Sequence, residues 1–118
     1  MKIYIALINN SLAIIITHNL KGKILTSNPM AAKVCGYSDA EYIDYFISDF
    51  LLEDDKPLFK ENYLETVITN KVTSGTLRIL NKQGEVVYTL YHNYLMEESG
   101  EEPYVISSAV DITSRIPM

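Results

Sequence analysis

Hydrophobic and polar positions change their spacing twice along the chain, which divides it into three blocks. The first block is a run rich in β-branched residues at 12–17, then a turn at Gly22 and a second short strand at 23–27. Residues 28–70 change to helical periodicity. The last block returns to strands within 72–80, 85–96 and 103–112, joined by turns that each contain a glycine. The predicted order is β-β-α-α-α-β-β-β.

Two short helices are predicted by their start and stop signals. Asn28 is a good N-cap, the proline after it suits the first helical position, and Gly36 tolerates the left-handed conformation that ends a helix. Ser38 and Glu41 have the spacing of a capping box, so a second helix starts there. The lone cysteine, Cys35, then becomes the last residue of the first helix and faces whatever that helix packs on.

The longest helix is predicted to begin at Asp54 or Asp55, because Pro57 is tolerated only in a first turn. Its inner face is formed by apolar side chains at helical spacing, namely Phe59, Tyr63 and Val67, with Leu64 and Ile68 beside them. Hairpin-linked strands with the helices in one central block indicate an α+β fold, an antiparallel sheet covered on one face by helices.

Composition narrows the class of protein. The chain has 118 residues, of which 47 % are hydrophobic, enough for one domain with a real core. A single cysteine cannot form an internal disulfide, and no Cys/His cluster has zinc spacing, so we expect a reducing, cytosolic setting. The net charge is −5 and the basic residues are scattered, which argues against nucleic acid as a partner. The apolar stretch at the start is too short and interrupted to span a bilayer.

Six short motifs in this order resemble a PAS domain. They are G-K-I at 22–24, N-P-M-A-A at 28–32, G-Y-S at 36–38, the acidic helix start at 53–55, K-Q-G at 82–84 and D-I-T-S-R at 111–115. The resemblance implies a five-stranded antiparallel sheet in the order 2-1-5-4-3, with helices over one face. We expect one PAS domain over residues 11–116 and a flanking helix or cap over residues 1–10. A profilin-like domain is the alternative fold, against which the ordered motifs argue.

The resemblance also bears on cofactors. The flavin-binding branch of the family keeps a cysteine on the short helix before the long one, where this chain has none, and Cys35 comes too early. Ile79, Thr89 and Ala109 stand where that branch uses amide side chains. The haem-binding branch places a histidine on the long helix, whereas His18 and His92 lie elsewhere. Flavin and haem are therefore disfavoured, and the cofactor is left unknown.

The sequence offers no catalytic or metal site. It contains no nucleophile–base pair, paired catalytic carboxylates, phosphate loop or metal constellation. Cys35 would lie at a helix C-terminus, where the dipole raises a thiol pKa, so we interpret it as a small buried hydrophobe. Any catalysis would belong to an attached effector domain.

A candidate ligand pocket follows from the two faces of the strands. The resemblance places Thr89, Tyr91 and Asn93 toward the helices, and the same parity continues onto the first and last strands. With two further positions, the predicted pocket comprises Ile15, Thr17, Tyr63, Ile79, Thr89, Tyr91, Asn93, Ser107 and Ala109. Its polar side chains either bond to one another, to backbone or to a trapped water, or they orient a ligand.

The opposite, outer face of the sheet is predicted to be unusually apolar for a solvated surface. It would carry, with the N-terminal segment, Ile3, Leu7, Ile14, Ile16, Tyr88, Leu90, Tyr94 and Ile106, and also Met96 and Val110. Such a face needs a cover, either the N-terminal segment or a second copy of the chain. We therefore expect a homodimer.

The resemblance finally implies a function. We expect a sensory module that senses a small ligand, or dimerises, or both, and passes a conformational change through Asp111 and Thr113 to a C-terminal effector. Histidine kinases and diguanylate cyclases are the effectors that the resemblance suggests. The alternative is a PAS-fold dimerisation module with a filled core and no ligand. The setting would be the cytoplasm, including the cytosolic part of a larger, even membrane-bound, signalling protein.

Overall fold

Five antiparallel strands form the sheet on which the protein is built. In the computed structural model, residues 2–117 are described, without the side chains of residues 2–4 and 39. The strands are β1 (Ile14–His18), β2 (Ile24–Ser27), β3 (Val72–Leu80), β4 (Val86–Met96) and β5 (Tyr104–Asp111). Their order across the sheet is β2-β1-β5-β4-β3, with every neighbouring pair antiparallel. The predicted α+β architecture and strand order are confirmed.

The helices occupy the middle of the chain, with one more at its start. They are α1 (Lys2–Asn9), α2 (Pro29–Cys35), α3 (Asp39–Tyr42), α4 (Lys56–Phe59) and α5 (Thr66–Asn70), with 3₁₀ turns at Ile47–Phe50 and Thr113–Arg115. A π-helical segment, Lys60–Glu65, connects α4 to α5, so the predicted long helix runs without a break from Lys56 to Asn70.

The short helices begin and end where their capping residues predict. Asn28 Oδ1 accepts a hydrogen bond from the backbone nitrogen of Ala31, 3.3 Å away, and Gly36 ends α2 with φ at 83°. The backbone nitrogen of Ser38 donates to Glu41 Oε1 at 2.9 Å, which is one half of the predicted capping box. Local sequence signals therefore determine where these helices start and stop.

The pairing of β1 with β5 corrects one of our face assignments. Ile14 lies opposite Ala109, Ile16 opposite Ser107 and His18 opposite Val105. Directly opposed residues share a face, and the β5 residues in these pairs lie on the inner face under the helices. The inner side chains of β1 are therefore Ile14, Ile16 and His18, and the placement of Ile15 and Thr17 inside was wrong, as was that of Ile14 and Ile16 outside. The physical reason is a parity slip of one residue, which moves every side chain of a strand to the other face.

The core lies between the inner face and the helices. Its members include Phe59, Tyr63 and Leu64 from the long helix, Ile14 and Tyr91 from the strands, and Leu51 from the segment before the long helix. Cys35 is buried among them, and burial raises the pKa of its thiol. A buried thiol with a raised pKa is a poor nucleophile, which agrees with our interpretation of Cys35 as a packing residue.

Candidate functional site

Three polar side chains lie in one line across the inner face. Strand pairing places Thr73 of β3 opposite Asn93 of β4, and Asn93 opposite Ser107 of β5. Because directly opposed residues point to the same side of a sheet, the three side chains face the long helix together. We call Thr73, Asn93 and Ser107 the polar row.

Asn93 is the unusual member of the polar row. Its side chain is 0 % exposed, and neither its Oδ1 nor its Nδ2 has a hydrogen-bond partner within residues 2–117. The hydroxyl of Thr73 is likewise buried without a partner in that part of the chain. Buried polar groups are nearly always hydrogen-bonded, and an unpaired one costs about 1–3 kcal/mol. Two adjacent side chains of the inner face therefore carry buried polar atoms that the described part of the chain does not satisfy.

Tyr63 lies above the polar row on the long helix, and it contacts His18 of β1 on the same inner face. The Tyr63 hydroxyl is 3.0 Å from His18 Nε2 and 3.5 Å from Ser107 Oγ. Burial raises the pKa of Tyr63 to about 12, so the phenol is neutral at physiological pH. The Ser107 hydroxyl, and after it the nearby Asn93 amide, oppose that shift of the Tyr63 pKa, although the Asn93 atoms do not reach hydrogen-bond geometry with the Tyr63 hydroxyl. Tyr63 belongs to the π-helical segment, a distortion often found at functional sites.

His18 is completely buried and held at both ring nitrogens. Nδ1 is 2.7 Å from the carbonyl oxygen of Asn19, and Nε2 is 3.0 Å from the Tyr63 hydroxyl. Burial lowers the pKa of His18, and the hydrogen bond with Asn19 offsets part of that effect. The imidazole is therefore neutral at physiological pH. It donates from Nδ1 to Asn19 and accepts at Nε2 from Tyr63.

An open groove of about 300 Å³ lies between the long helix and β3, and its lining does not include the polar row itself. Its lining includes Phe59, Asn62 and Tyr63 from the helix, and Leu77 and Tyr91 from the sheet. Its volume is in the range of small-molecule pockets. The aromatic rings at its base are in contact, with centroids of Phe59 and Tyr63 4.6 Å apart and those of Tyr63 and Tyr91 5.0 Å apart.

An ion pair lies at the rim of the groove. Asp55 occupies the N-cap position of α4, as predicted, but its carboxylate accepts two hydrogen bonds from Arg78 of β3, at 2.8 and 3.0 Å. The pair ties the start of the long helix to the edge strand. Its two opposite charges neutralise each other, and the bidentate contact fixes their relative orientation.

Tyr91 lies between the groove and the polar row. Along β4 the buried inner side chains are Val87, Thr89, Tyr91 and Asn93, and Tyr91 also lines the groove. Its hydroxyl lies over Gly75 on β3, where a Cβ atom would be only 2.8 Å away. Glycine at this position therefore provides the space that the Tyr91 ring occupies.

The structure brings together most of the predicted pocket. Seven of the predicted residues lie on the inner face or on the helix above it: Tyr63, Ile79, Thr89, Tyr91, Asn93, Ser107 and Ala109. Thr89 is satisfied within the fold, since its hydroxyl donates to the carbonyl of Leu77 at 2.8 Å. Ile15 and Thr17 lie on the other face, where Thr17 is hydrogen-bonded to Thr26. His18 and Thr73 were not among the pocket residues predicted from the sequence. The correct parity of β1 would have placed His18 inside, and the pairing of β3 with Asn93 would have identified Thr73.

The outer face of the sheet is partly exposed and apolar, as predicted. Leu90, Tyr94 and Val110 are 47 %, 44 % and 43 % exposed, and Tyr88 and Ile106 are half-buried. Of the predicted residues on α1, Leu7 is 66 % exposed, and the side chain of Ile3 lies outside the described part. Ile15 takes the place that the prediction gave to Ile14 and Ile16.

The end of β5 is hydrogen-bonded to the start of β4. The backbone nitrogen of Ile112 donates to the carbonyl of Tyr88 at 2.8 Å, and that of Tyr88 donates to Thr113 Oγ1 at 2.9 Å. Asp111 Oδ1 in turn accepts from both the nitrogen and the hydroxyl of Thr113. The strand that carries Asn93 is thus connected directly to the segment that leaves the sheet.

Neither a helix that could span a membrane nor a cluster of metal-binding side chains is found among the described residues. No helix within residues 2–117 is long and apolar enough to cross a membrane. The same part of the chain holds no group of three or more His, Cys, Asp or Glu side chains that could bind a metal ion.

Comparison with known proteins identifies the family. A family model described as PAS domain matches residues 11–114. The chain belongs to the PAS domain family. PAS domains are typically sensory, non-catalytic modules, and the match indicates no catalytic family. No curated protein sequence matches the chain.

Solved structures similar to this PAS domain share its fold at low sequence identity. The PAS domain of a protein from Colwellia psychrerythraea is 18 % identical, with a TM-score of 0.87 over 97 % of this chain and 98 % of the other. A domain of a sensory box sensor histidine kinase/response regulator from Geobacter sulfurreducens is 15 % identical, with a TM-score of 0.79 over 93 % and 92 %. An RNA-binding light-oxygen-voltage receptor is 17 % identical, with a TM-score of 0.82 over 97 % of this chain and 33 % of the other. At these identities the likeness shows the fold alone.

Proposed function

We propose that this PAS domain senses a small molecule at its inner face and relays a change of conformation to an attached effector domain. The observation that carries the proposal is the buried amide of Asn93, which has no hydrogen-bond partner within residues 2–117. A fold that retains such an amide bears a cost that a bound molecule would remove. The similar domain of a sensor histidine kinase/response regulator supports an effector of the kinase type, and a diguanylate cyclase is the other candidate.

The relay would run along β4. This strand carries Tyr91 and Asn93 on its inner face, and its first residues are hydrogen-bonded to Ile112 and Thr113. A ligand that moves Asn93 by a fraction of an ångström would move the same strand at Tyr88, and with it the segment at Asp111 and Thr113. A ligand shifts such an equilibrium only by its difference in affinity for the two states.

Native mass spectrometry of the purified chain, compared with its denatured mass, tests the sensing function. We expect a native mass in excess of the chain mass, lost on denaturation, and the size of the excess identifies the ligand. The same preparation of an Asn93→Leu variant serves as the control, and we expect it to lack the excess. Clean multiples of the chain mass from both proteins, even after incubation with cell extract metabolites, would contradict the proposal.

The second candidate function is a ligand-free dimerisation module, which the exposed outer face favours. Leu90, Tyr94 and Val110 form an apolar surface that a second copy of the chain would cover. We expect a concentration-dependent dimer in sedimentation velocity and a monomer for Leu90→Lys. Ile68→Lys is the matched control, because Ile68 is 37 % exposed on the helix that covers the opposite face. A wild-type monomer at every concentration would rule out this surface as a dimer interface.

A further inference from the structure

We propose that the polar row, together with Tyr63, binds a small uncharged molecule that offers both a hydrogen-bond donor and an acceptor, of the class of a primary amide. The inference rests on the proposed sensing function and names the chemical class of its ligand. It follows from three observations on the described residues: the unpaired amide of Asn93, the neutral polar groups beside it, and the aromatic side chains that limit the space.

The unpaired atoms of Asn93 determine which groups the ligand must carry. Oδ1 needs a donor and Nδ2 needs an acceptor, and both atoms are fully buried. The neighbouring hydroxyl of Thr73 lacks a partner within residues 2–117 as well, and it can either donate or accept. A molecule with only one kind of group would leave one side of the Asn93 amide unsatisfied. A primary amide matches it on both sides through two parallel hydrogen bonds.

The polar row offers no free counter-charge among the described residues, which argues against an ionised ligand. Among the described residues, the polar groups beside Asn93 include Thr73, Ser107 and the hydroxyl of Tyr63, which is neutral and hydrogen-bonded to a neutral His18. A carboxylate or ammonium group brought here would lose its hydration without gaining a counter-charge, which costs far more than one hydrogen bond returns. Arg78 cannot supply that charge, since it is already paired with Asp55 at the rim of the groove.

The aromatic side chains limit the size of the ligand and its route. Phe59, Tyr63 and Tyr91 are in ring-to-ring contact and crowd the region above the inner face, so we expect only a molecule of a few non-hydrogen atoms to fit beside Asn93. The groove opens beside Tyr91, and the hydroxyl of Tyr91 lies over Gly75. Rotation of the Tyr91 ring away from Gly75 would connect the groove to the polar row. Tyr91 is thus the barrier that a ligand has to pass.

Acetamide is the probe, and acetate is its charged counterpart of nearly the same shape. We expect acetamide to shift the side-chain amide resonances of Asn93 in a saturable way in ¹H–¹⁵N NMR spectra and to raise the thermal unfolding midpoint. Acetate at the same concentration should do neither. The Asn93→Leu variant should lose the effect on the midpoint and weaken binding about tenfold or more, the scale of a lost buried hydrogen bond. Asn70→Leu is the matched control, because Asn70 is exposed at the end of α5.

Gly75→Ala tests the route independently of the amide. A Cβ atom 2.8 Å from the Tyr91 hydroxyl has to displace that ring, so we expect faster association of acetamide with the same pattern of shifted resonances. An unchanged association rate would overturn the role of Tyr91 as a barrier.

Four outcomes would overturn the assignment of the ligand class. They are the absence of any saturable response to acetamide, an equal response to acetate, an equal response in Asn93→Leu, and a long-lived buried water at Asn93 that acetamide does not displace. These outcomes are distinct from failure of the sensing function. A native mass excess from a charged ligand would overturn the class named here and leave the proposed function standing.

Discussion

Asn28 and Asn93 are both 0 % exposed, yet their surroundings differ completely. The amide of Asn28 is hydrogen-bonded on every side, to backbone groups of Ile8, Ala13, Ile15 and Ala31. The amide of Asn93 has no such partner within residues 2–117. The first side chain joins the end of α1, the start of β1 and the start of α2, and is explained by the fold alone. The second is not explained by contacts within residues 2–117.

Replacement of Asn28 should produce the largest loss of folding stability. In Asn28→Leu the four hydrogen bonds are lost, and backbone groups of three elements lose a buried partner. At about 1 kcal/mol for each bond, we expect the free energy of unfolding to fall by roughly 3 kcal/mol or more. Urea denaturation with a fixed m-value measures the change. A loss below about 1 kcal/mol would show that water replaces the Asn28 amide, and would remove the contrast with Asn93.

The second-largest expected effect is a loss of folding stability at low pH, which arises at His18. Burial lowers the pKa of His18, so below its ordinary value of 6.5 the unfolded chain takes up a proton that the folded chain resists. The stability that His18 contributes is therefore complete above pH 6.5 and is lost as the pH falls below it, by at most about 1.4 kcal/mol per pH unit.

Urea midpoints from pH 8 to pH 5 test the role of His18. We expect the urea midpoint of the wild type to fall as the pH is lowered, and His18→Gln to reduce that fall. Glutamine keeps a polar side chain toward Tyr63 but does not titrate. His92→Gln is the control, since His92 is exposed on the outer face of β4, and the decline should persist in it. An unchanged decline in His18→Gln would assign the pH dependence to other groups.

Much of the fold could be predicted because its signals are local. The caps at Asn28 and Gly36, the proline in the first turn of the long helix and the glycine-containing turns each depend on a few neighbouring residues, and all of them lie where the sequence indicated. The π-helical segment at Lys60–Glu65 was not predicted, because its apolar spacing does not differ from that of an α-helix over so short a length.

The candidate site was predicted less completely, for a physical reason that β1 illustrates. The run Ile14, Ile15, Ile16 is apolar on both faces, so alternation cannot show which face is buried. Only the pairing of Ile16 with Ser107 decides it, and that pairing is a long-range contact. The error placed Ile15 and Thr17 inside, and it also hid His18, which follows Ile14 and Ile16 on the same face.

Replacement of Asn93 should lower the free energy of unfolding much less than replacement of Asn28 does, or should raise it. Asn93→Leu removes an amide that has no partner in the described part of the chain, and leucine has a similar size. We therefore expect the free energy of unfolding of the ligand-free protein to stay within about 1 kcal/mol of the wild type or to rise. The same urea titration measures it. A loss as large as that in Asn28→Leu would mean that Asn93 belongs to a structural network.

The smallest change in stability should come from the ion pair between Asp55 and Arg78, which has two well-formed hydrogen bonds but is open to water. The two side chains are 28 % and 39 % exposed. Water and salt replace a broken contact at such a site, so we expect Asp55→Asn to leave the urea midpoint almost unchanged, with no dependence on salt. A double-mutant cycle with Arg78→Gln isolates the pair. A coupling as large as the loss in Asn28→Leu would show that hydrogen-bond geometry alone determines the contribution of a polar contact. A negligible one would show that burial determines it, so that an unpaired polar group costs far more at Asn93 than at Asp55.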